Sequence, residues 1–207
     1  MKKIASQIAS PLLPIWIALC VMLLAGCALP RPESSTLYDL GPLHAKQGTT
    51  LPALPPISVA DIQVPAWLDS TMIFFRLDYA NEQQPRPYAQ ARWVMAPGQL
   101  LLQHLKSRIA QAGGVVLPAS DGAINIPVLR LEADDFTQYF QAPGQSVARV
   151  GLRASVYKGR ILVAQKSINR QVPAPNADAA GGVKALAAAS DAVISDLIMW
   201  LNTLDLK

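Results

Sequence analysis

Apolar and polar residues alternate along much of this chain, and the period of the alternation marks its elements. From Val147 to Tyr157 the pattern is clean. Val150, Leu152, Ala154 and Val156 fall on one face, and Arg149, Arg153 and Tyr157 on the other. A period of two predicts a strand with one buried face. Ile124 to Phe140 reads as a long strand, with Leu129, Leu131 and Ala133 inward and Arg130, Glu132 and Asp134 outward. Pro143-Gly144 turns the chain between these two strands. Lys158-Gly159-Arg160 makes a hairpin turn, and Ile161 to Val172 returns as the next strand.

Upstream, Ile57 to Val64 is β-branched and stops at Pro65, and Thr71 to Tyr79 is a second strand. Asn81 to Pro87 reads as a polar, proline-bounded turn, with Tyr88 to Trp93 as a third extended piece and Val115 to Leu117 as a short strand. The period changes to about 3.6 at two places. Pro97-Gly98 opens a helix that carries Leu101, Leu102, Leu105 and Ile109 on one face and stops at Gly113-Gly114. A longer helix runs from about Val183 to Leu204 on Leu186, Val193, Ile194, Leu197, Ile198, Leu201 and Leu204, with Gly181-Gly182 at its boundary. A run of meander strands between two helices predicts an α+β fold, a single antiparallel or mixed β-sheet with two main helices packed on one face. No repeat and no second domain is visible in the pattern.

The N-terminus follows other rules. Met1-Lys2-Lys3 precedes an apolar run that ends in Leu24-Ala25-Gly26-Cys27. A basic start, a short apolar core and small residues before a cut site form a secretory signal. A Cys directly after the small residues matches a bacterial lipobox. Cleavage between Gly26 and Cys27 makes Cys27 the lipidated N-terminus. The apolar stretch from Leu12 to Gly26 contains Pro14 and is shorter than the roughly 20 residues a spanning helix needs. Cys20 follows the bulky Leu19, which does not suit a signal peptidase. Multiple acyl chains give stable anchoring where one does not. Ala28 and Leu29 follow Cys27 in place of the Asp that retains enteric lipoproteins at the inner membrane, so the expected address is the outer membrane, facing the periplasm.

Three regions result: a signal peptide over 1–26, the lipidated Cys and a proline-rich tether over 27–56, and an α+β domain over 57–207. In the tether, Pro30, Pro32, Pro42, Pro52, Pro55 and Pro56 block regular structure. Thr36 to Pro42 interrupts them with an extended apolar piece suited to docking as an edge strand. Cleavage leaves 181 of the 207 residues, enough to bury a core without staples. Cys27 is then the only Cys, and no disulfide is possible within the mature chain. Loss of Lys2 and Lys3 lowers the formal net charge from +4 to +2, no signature for nucleic acid.

Catalytic chemistry is sparse. His44 lies in the tether, and His104 falls beside the polar Gln103, Lys106 and Ser107, as a solvated helix residue. Glu132, Asp134 and Asp135 form the acidic cluster, which reads as a solvated strand face and offers a hydrolase at most paired carboxylates. No phosphate loop, dinucleotide fingerprint or nucleophile elbow occurs. No metal or cofactor is expected beyond the lipid on Cys27. The sequence from Phe136 to Ala177 lacks acidic residues but carries Arg149, Arg153, Lys158, Arg160, Lys166 and Arg170. With Tyr157, and with Trp67 at a strand connection, Arg149 and Arg153 are candidate partner contacts on a basic sheet face.

A resemblance joins these pieces. The lipobox comes first, then Tyr38-Asp39-Leu40-Gly41, then Ile57-Ser58-Val59 leading to Pro65-Ala66-Trp67-Leu68-Asp69. Tyr88-Ala89-Gln90-Ala91-Arg92-Trp93 then precedes a helix, and an Ala-rich helix closes the chain. This order resembles the ABC-type transport auxiliary lipoprotein family, the PqiC-like proteins, over nearly the whole mature chain. Val94-Met95-Ala96-Pro97 departs from it, where relatives often carry an acidic residue and Pro. The resemblance implies a non-enzymatic accessory of an intermembrane lipid transport system. Its implied partners are a periplasmic MCE-domain protein with its ABC permease and ATPase, docked by a homo-oligomeric ring of copies at the outer membrane. The alternative is a stand-alone outer-membrane assembly or scaffolding lipoprotein, told apart by whether permease, ATPase and MCE genes lie beside its own.

Overall fold

A computed structural model describes residues 34–43, 51–119 and 125–206. The lipobox, with Gly26 and Cys27, lies outside these residues. The described residues form an α+β fold, with two helices and one mixed sheet of eight strands. In chain order these are β1 (Thr36–Tyr38), β2 (Ile57–Val59), β3 (Met72–Leu77), β4 (Asn81–Trp93), helix α1 (Pro97–Gln111), β5 (Val116–Pro118), β6 (Val128–Ala142), β7 (Gln145–Lys158), β8 (Ile161–Pro173) and helix α2 (Ala179–Leu201).

The spine of the sheet is β6. Along one edge it pairs antiparallel with β7 over its whole length, and β7 pairs in turn with β8. Two short strands share its other edge, both parallel to it: β2 at Val128 and Leu129, and β3 at Gln138 to Phe140. Beyond β2 lies β5, and beyond β3 lie β4 and then β1. The sheet is therefore continuous on the β7–β8 side and forked on the other. The Thr36–Tyr38 piece docks as an edge strand parallel to β4, and Leu40 and Leu54 are buried in the core.

A bulge sets the facing of β6. The register passes from Ala133 opposite Leu152 directly to Asp135 opposite Gly151, leaving Asp134 as the extra residue. Before it, Leu129, Leu131 and Ala133 point inward. After it the parity swaps, and Phe136 and Gln138 take the inward positions, all of them buried. The sequence pattern misses this swap because Asp134 and Asp135 are both polar.

Two further expectations need correction. Asn81 to Pro87 is the first half of β4 rather than a turn; the turn is Asp78 to Ala80. Its polar residues are the exposed part of a strand with only β3 and the short β1 as neighbours, so polarity there marks solvent and not a break in the ladder. Gly181-Gly182 is not a boundary either, because α2 already begins at Ala179 behind an Asp178 cap. The Asp178 Oδ1 accepts the Gly181 N–H at 2.6 Å.

Both helices pack on the inward face and share one core with it. Pro97 starts α1 at a position where its missing N–H costs nothing. Gly113, at φ +83°, ends it in a Schellman turn: the Gly114 N–H reaches Ile109 O at 2.9 Å and the Gly113 N–H reaches Ala110 O at 3.0 Å. Leu101, Leu105 and Ile109 on α1, and Leu186, Val193, Leu197 and Ile198 on α2, are buried against Leu129, Val150, Leu152 and Ala154. Burying each such side chain contributes about 1.5–3 kcal/mol. No helix among the described residues is long and apolar enough to cross a membrane.

Candidate functional site

The helices leave the opposite face of the sheet open, and the candidate contact residues gather there. Trp67 comes from the loop between β2 and β3, which must swing out because those strands occupy successive stretches of one edge of β6. Its turn is closed by the Leu68 N–H to Pro65 O at 2.8 Å. Leu68 is buried, while Trp67 stays half-buried on the outer side. There its ring meets Phe74 edge to face at 5.2 Å, and the Arg76 guanidinium lies 5.3 Å from its centroid.

Beside Trp67 is a polar network that spans three strands. Arg149 of β7 stacks on the Tyr139 ring at 4.0 Å, reaches Asp78 Oδ2 at 3.4 Å and donates from Nε to Gln171 Oε1 at 3.2 Å. The Tyr139 hydroxyl donates to Asp135 Oδ2 at 2.9 Å. Burial pushes the Asp135 carboxyl above its ordinary range, against the opposing pull of Tyr139, Arg149 and Arg76. Burial and the Asp135 charge raise the Tyr139 hydroxyl to about 12, so it stays a donor at any physiological pH. Arg76 Nε, Asp78 Oδ1 and Asp135 Oδ1 are buried with no hydrogen-bond partner among the described residues. A cleft of about 240 Å³ opens between Asp135, Gly151 and Asn169.

The rest of the face is a charge ladder. Arg153 holds Glu132 at 3.2 Å and Asp134 at 3.3 Å. Tyr157 lies under the Arg130 guanidinium at 4.9 Å. This corrects the expectation of a basic face. The absence of acidic residues from β7 and β8 holds along the chain, but Asp78 from the β3–β4 turn and Glu132 and Asp134 from β6 supply the opposite sign. The acidic cluster is likewise divided: Arg153 bridges Glu132 and Asp134, while the bulge sends Asp135 into the Tyr139 network. Among the described residues no group of three or more His, Cys, Asp or Glu is arranged to hold a metal.

His104 also departs from expectation. It is only 8% exposed, and its Nε2 lies 2.7 Å from Asp191 Oδ1 on α2. Arg108, one turn on and also buried, reaches the same oxygen at 2.9 Å. Burial works to raise the Asp191 carboxyl, but the bonds from His104 and Arg108 outweigh it and hold the group below its ordinary range. This cluster pins the two helices together, and His104 also lines a pocket of about 220 Å³ between α1 and the Asp39–Leu43 segment. Sequence reasoning also missed Arg76, Asp78 and Tyr139. The shared parity of Phe74, Arg76 and Asp78 is the signal that finds the first two.

A family model for the ABC-type transport auxiliary lipoprotein component matches residues 38–197. The chain belongs to that family. Among solved structures, a Xanthomonas campestris protein of family DUF330 superposes with a TM-score of 0.69 at 19% identity. The match covers 81% of this chain and 96% of that one. A second, an uncharacterised protein, gives a TM-score of 0.59 at 15% identity, over 82% and 99% of the two chains. These likenesses establish the fold. No curated protein matches.

Proposed function

We propose that this protein is a non-enzymatic accessory of an intermembrane lipid transport system. Lipidation of Cys27 holds it at the outer membrane, where it faces the periplasm. Its docking partner is the MCE-domain protein that works with an ABC permease and ATPase, and the result is envelope integrity. The family match over residues 38–197 carries this reading. The outward face supports it. That face is mixed in charge and not covered by either helix, and it carries Trp67 with Arg76 beside it and the ion-paired Arg149 and Arg153. Such a face suits the polar, Arg- and Trp-bearing surface of a protein interface better than a catalytic cleft.

The test is affinity isolation of the full-length protein from detergent-solubilised envelopes, with Cys27→Ala as control. Recovery of an MCE protein with its permease and ATPase, lost in the control, supports the reading. Recovery of an unrelated outer-membrane machine, with no change in detergent sensitivity on gene deletion, contradicts it.

A further inference from the structure

The last strand of the meander is an open edge. Among the described residues β8 pairs only with β7. Ala174 donates to Ser146 O at 2.9 Å, and the register continues through Val172 opposite Ala148 and Arg170 opposite Val150. The alternation of an antiparallel ladder then turns the N–H and C=O groups of Gln165, Ser167, Asn169 and Gln171 away from β7, toward the open side. A long strand with free backbone groups is a template for another strand.

Ordinary edges are short, bulged or charged on both faces. This one is bulged only near its start, where Val163 is the extra residue between Ala164 opposite Val156 and Leu162 opposite Tyr157; it runs regularly from Ala164 to Pro173 and begins with three consecutive exposed aliphatics, Ile161, Leu162 and Val163, at 74%, 48% and 42% exposure. Behind the edge a groove of about 640 Å³ runs between β8 and the end of α2. Its apolar part is Ile168, Met199 and Trp200, and Lys166 and Arg170 flank it. Arg170 is paired with Asp196 across the groove. Lys166 has no acidic neighbour on its own strand or on β7, because neither strand contains one.

We propose that the β8 edge takes an extended segment of a partner protein, added as a further strand. Such a segment alternates apolar residues, which enter the groove over Met199 and Trp200, with acidic residues set against Lys166. The sign of the charge selects this occupant over a second copy. A second copy related by a two-fold axis would pair β8 antiparallel with another β8, setting Lys166 of each copy beside a strand that carries Lys166 and Arg170 and no acid. The anchoring membrane is a poorer occupant if Cys27 is lipidated as proposed above. The chain enters β1 from the end of the sheet that carries the β3–β4 and β6–β7 turns, because β1 runs parallel to β4. The β7–β8 turn and its aliphatics lie at the other end.

The experiment uses full-length lipidated protein in neutral detergent micelles and a fluorescein-labelled octapeptide alternating glutamate and valine. A lysine–valine octapeptide is the control. Saturable binding is expected, at least about ten-fold tighter for the glutamate peptide. Ser167→Pro removes an edge-facing N–H without touching the β7 ladder, and is expected to weaken binding by about ten-fold. A thermal melt checks that this variant folds. Lys166→Glu should shift the preference toward the lysine peptide. Equal binding of both peptides, no binding, or an indifferent Ser167→Pro overturns the proposal. So does adsorption to phosphatidylglycerol vesicles that Ile161→Asp abolishes while neither peptide binds, which would make the edge a membrane contact. The probe contains no transporter component, so failure here leaves the accessory reading standing, and failure of that reading leaves this test readable.

Discussion

His104 on α1 and Asp191 on α2 meet at 2.7 Å although 87 positions separate them. Arg108 shares the same carboxylate oxygen, so one acid holds two buried bases. Replacing Asp191 with Asn leaves Arg108 buried beside a neutral group. A cost of about 2–3 kcal/mol is expected, less than for a fully buried pair because Asp191 is itself partly exposed. The folded protein holds this carboxyl below its ordinary value of 3.8. Its contribution is therefore present above that value and is lost as pH falls through the depressed one. Urea unfolding of both proteins at neutral and acid pH checks this: the gap between them should close only at the acid end.

Gly181 sits where α2 leaves its loop. A Cβ there would lie 2.1 Å from the Asn176 carbonyl oxygen, which is backbone and cannot rotate away. Gly181→Ala is expected to destabilise by about 1–3 kcal/mol even though alanine is the better helix former. A denaturant midpoint at or above that of the native sequence would show that the N-terminal turn of α2 packs otherwise.

Asp135 carries the opposite pH dependence to Asp191. Burial raises its carboxyl above the ordinary 3.8, so its ionisation opposes folding. The stability it allows is complete below that value and is lost as pH rises through the raised one. Asp135→Asn still accepts the Tyr139 hydroxyl bond. It should be more stable than the native protein at neutral pH and lose that advantage on acidification. Melting temperatures measured across that range decide it.

Arg153 is an exposed link, its side chain 43% accessible and paired with two equally open carboxylates. Such pairs are worth little, and Arg153→Ala should change stability by less than about 1 kcal/mol. A larger loss in a denaturant titration would mean that the charge ladder is structural.

Much of this fold is written in hydrophobic period. The β6–β7–β8 meander and both helices follow from residues that repeat at two or at about 3.6, because each buries one face. What the pattern conceals is pairing. Nothing local says that β2 and β3 share one edge of β6, or that Asp134 is an extra residue that swaps the parity of all that follows. The burial of His104 is hidden for the same reason. Its polar neighbours on α1 describe one helix, while its burial is decided by Asp191 on another. On the outward face Trp67, Arg149, Arg153 and Tyr157 are legible as positions. Their charge balance is not, because Asp78 and Glu132 arrive from a turn and a strand distant in sequence.

The central claim is that the outward face docks the MCE component. The most direct measurement is a titration of that purified periplasmic protein against immobilised full-length lipoprotein, native and with Trp67→Ala or Arg153→Glu. Saturable binding, weakened about ten-fold or more by each substitution in a protein that still folds, is the expected result. Absence of saturable binding, or equal affinity in all three, would contradict the claim.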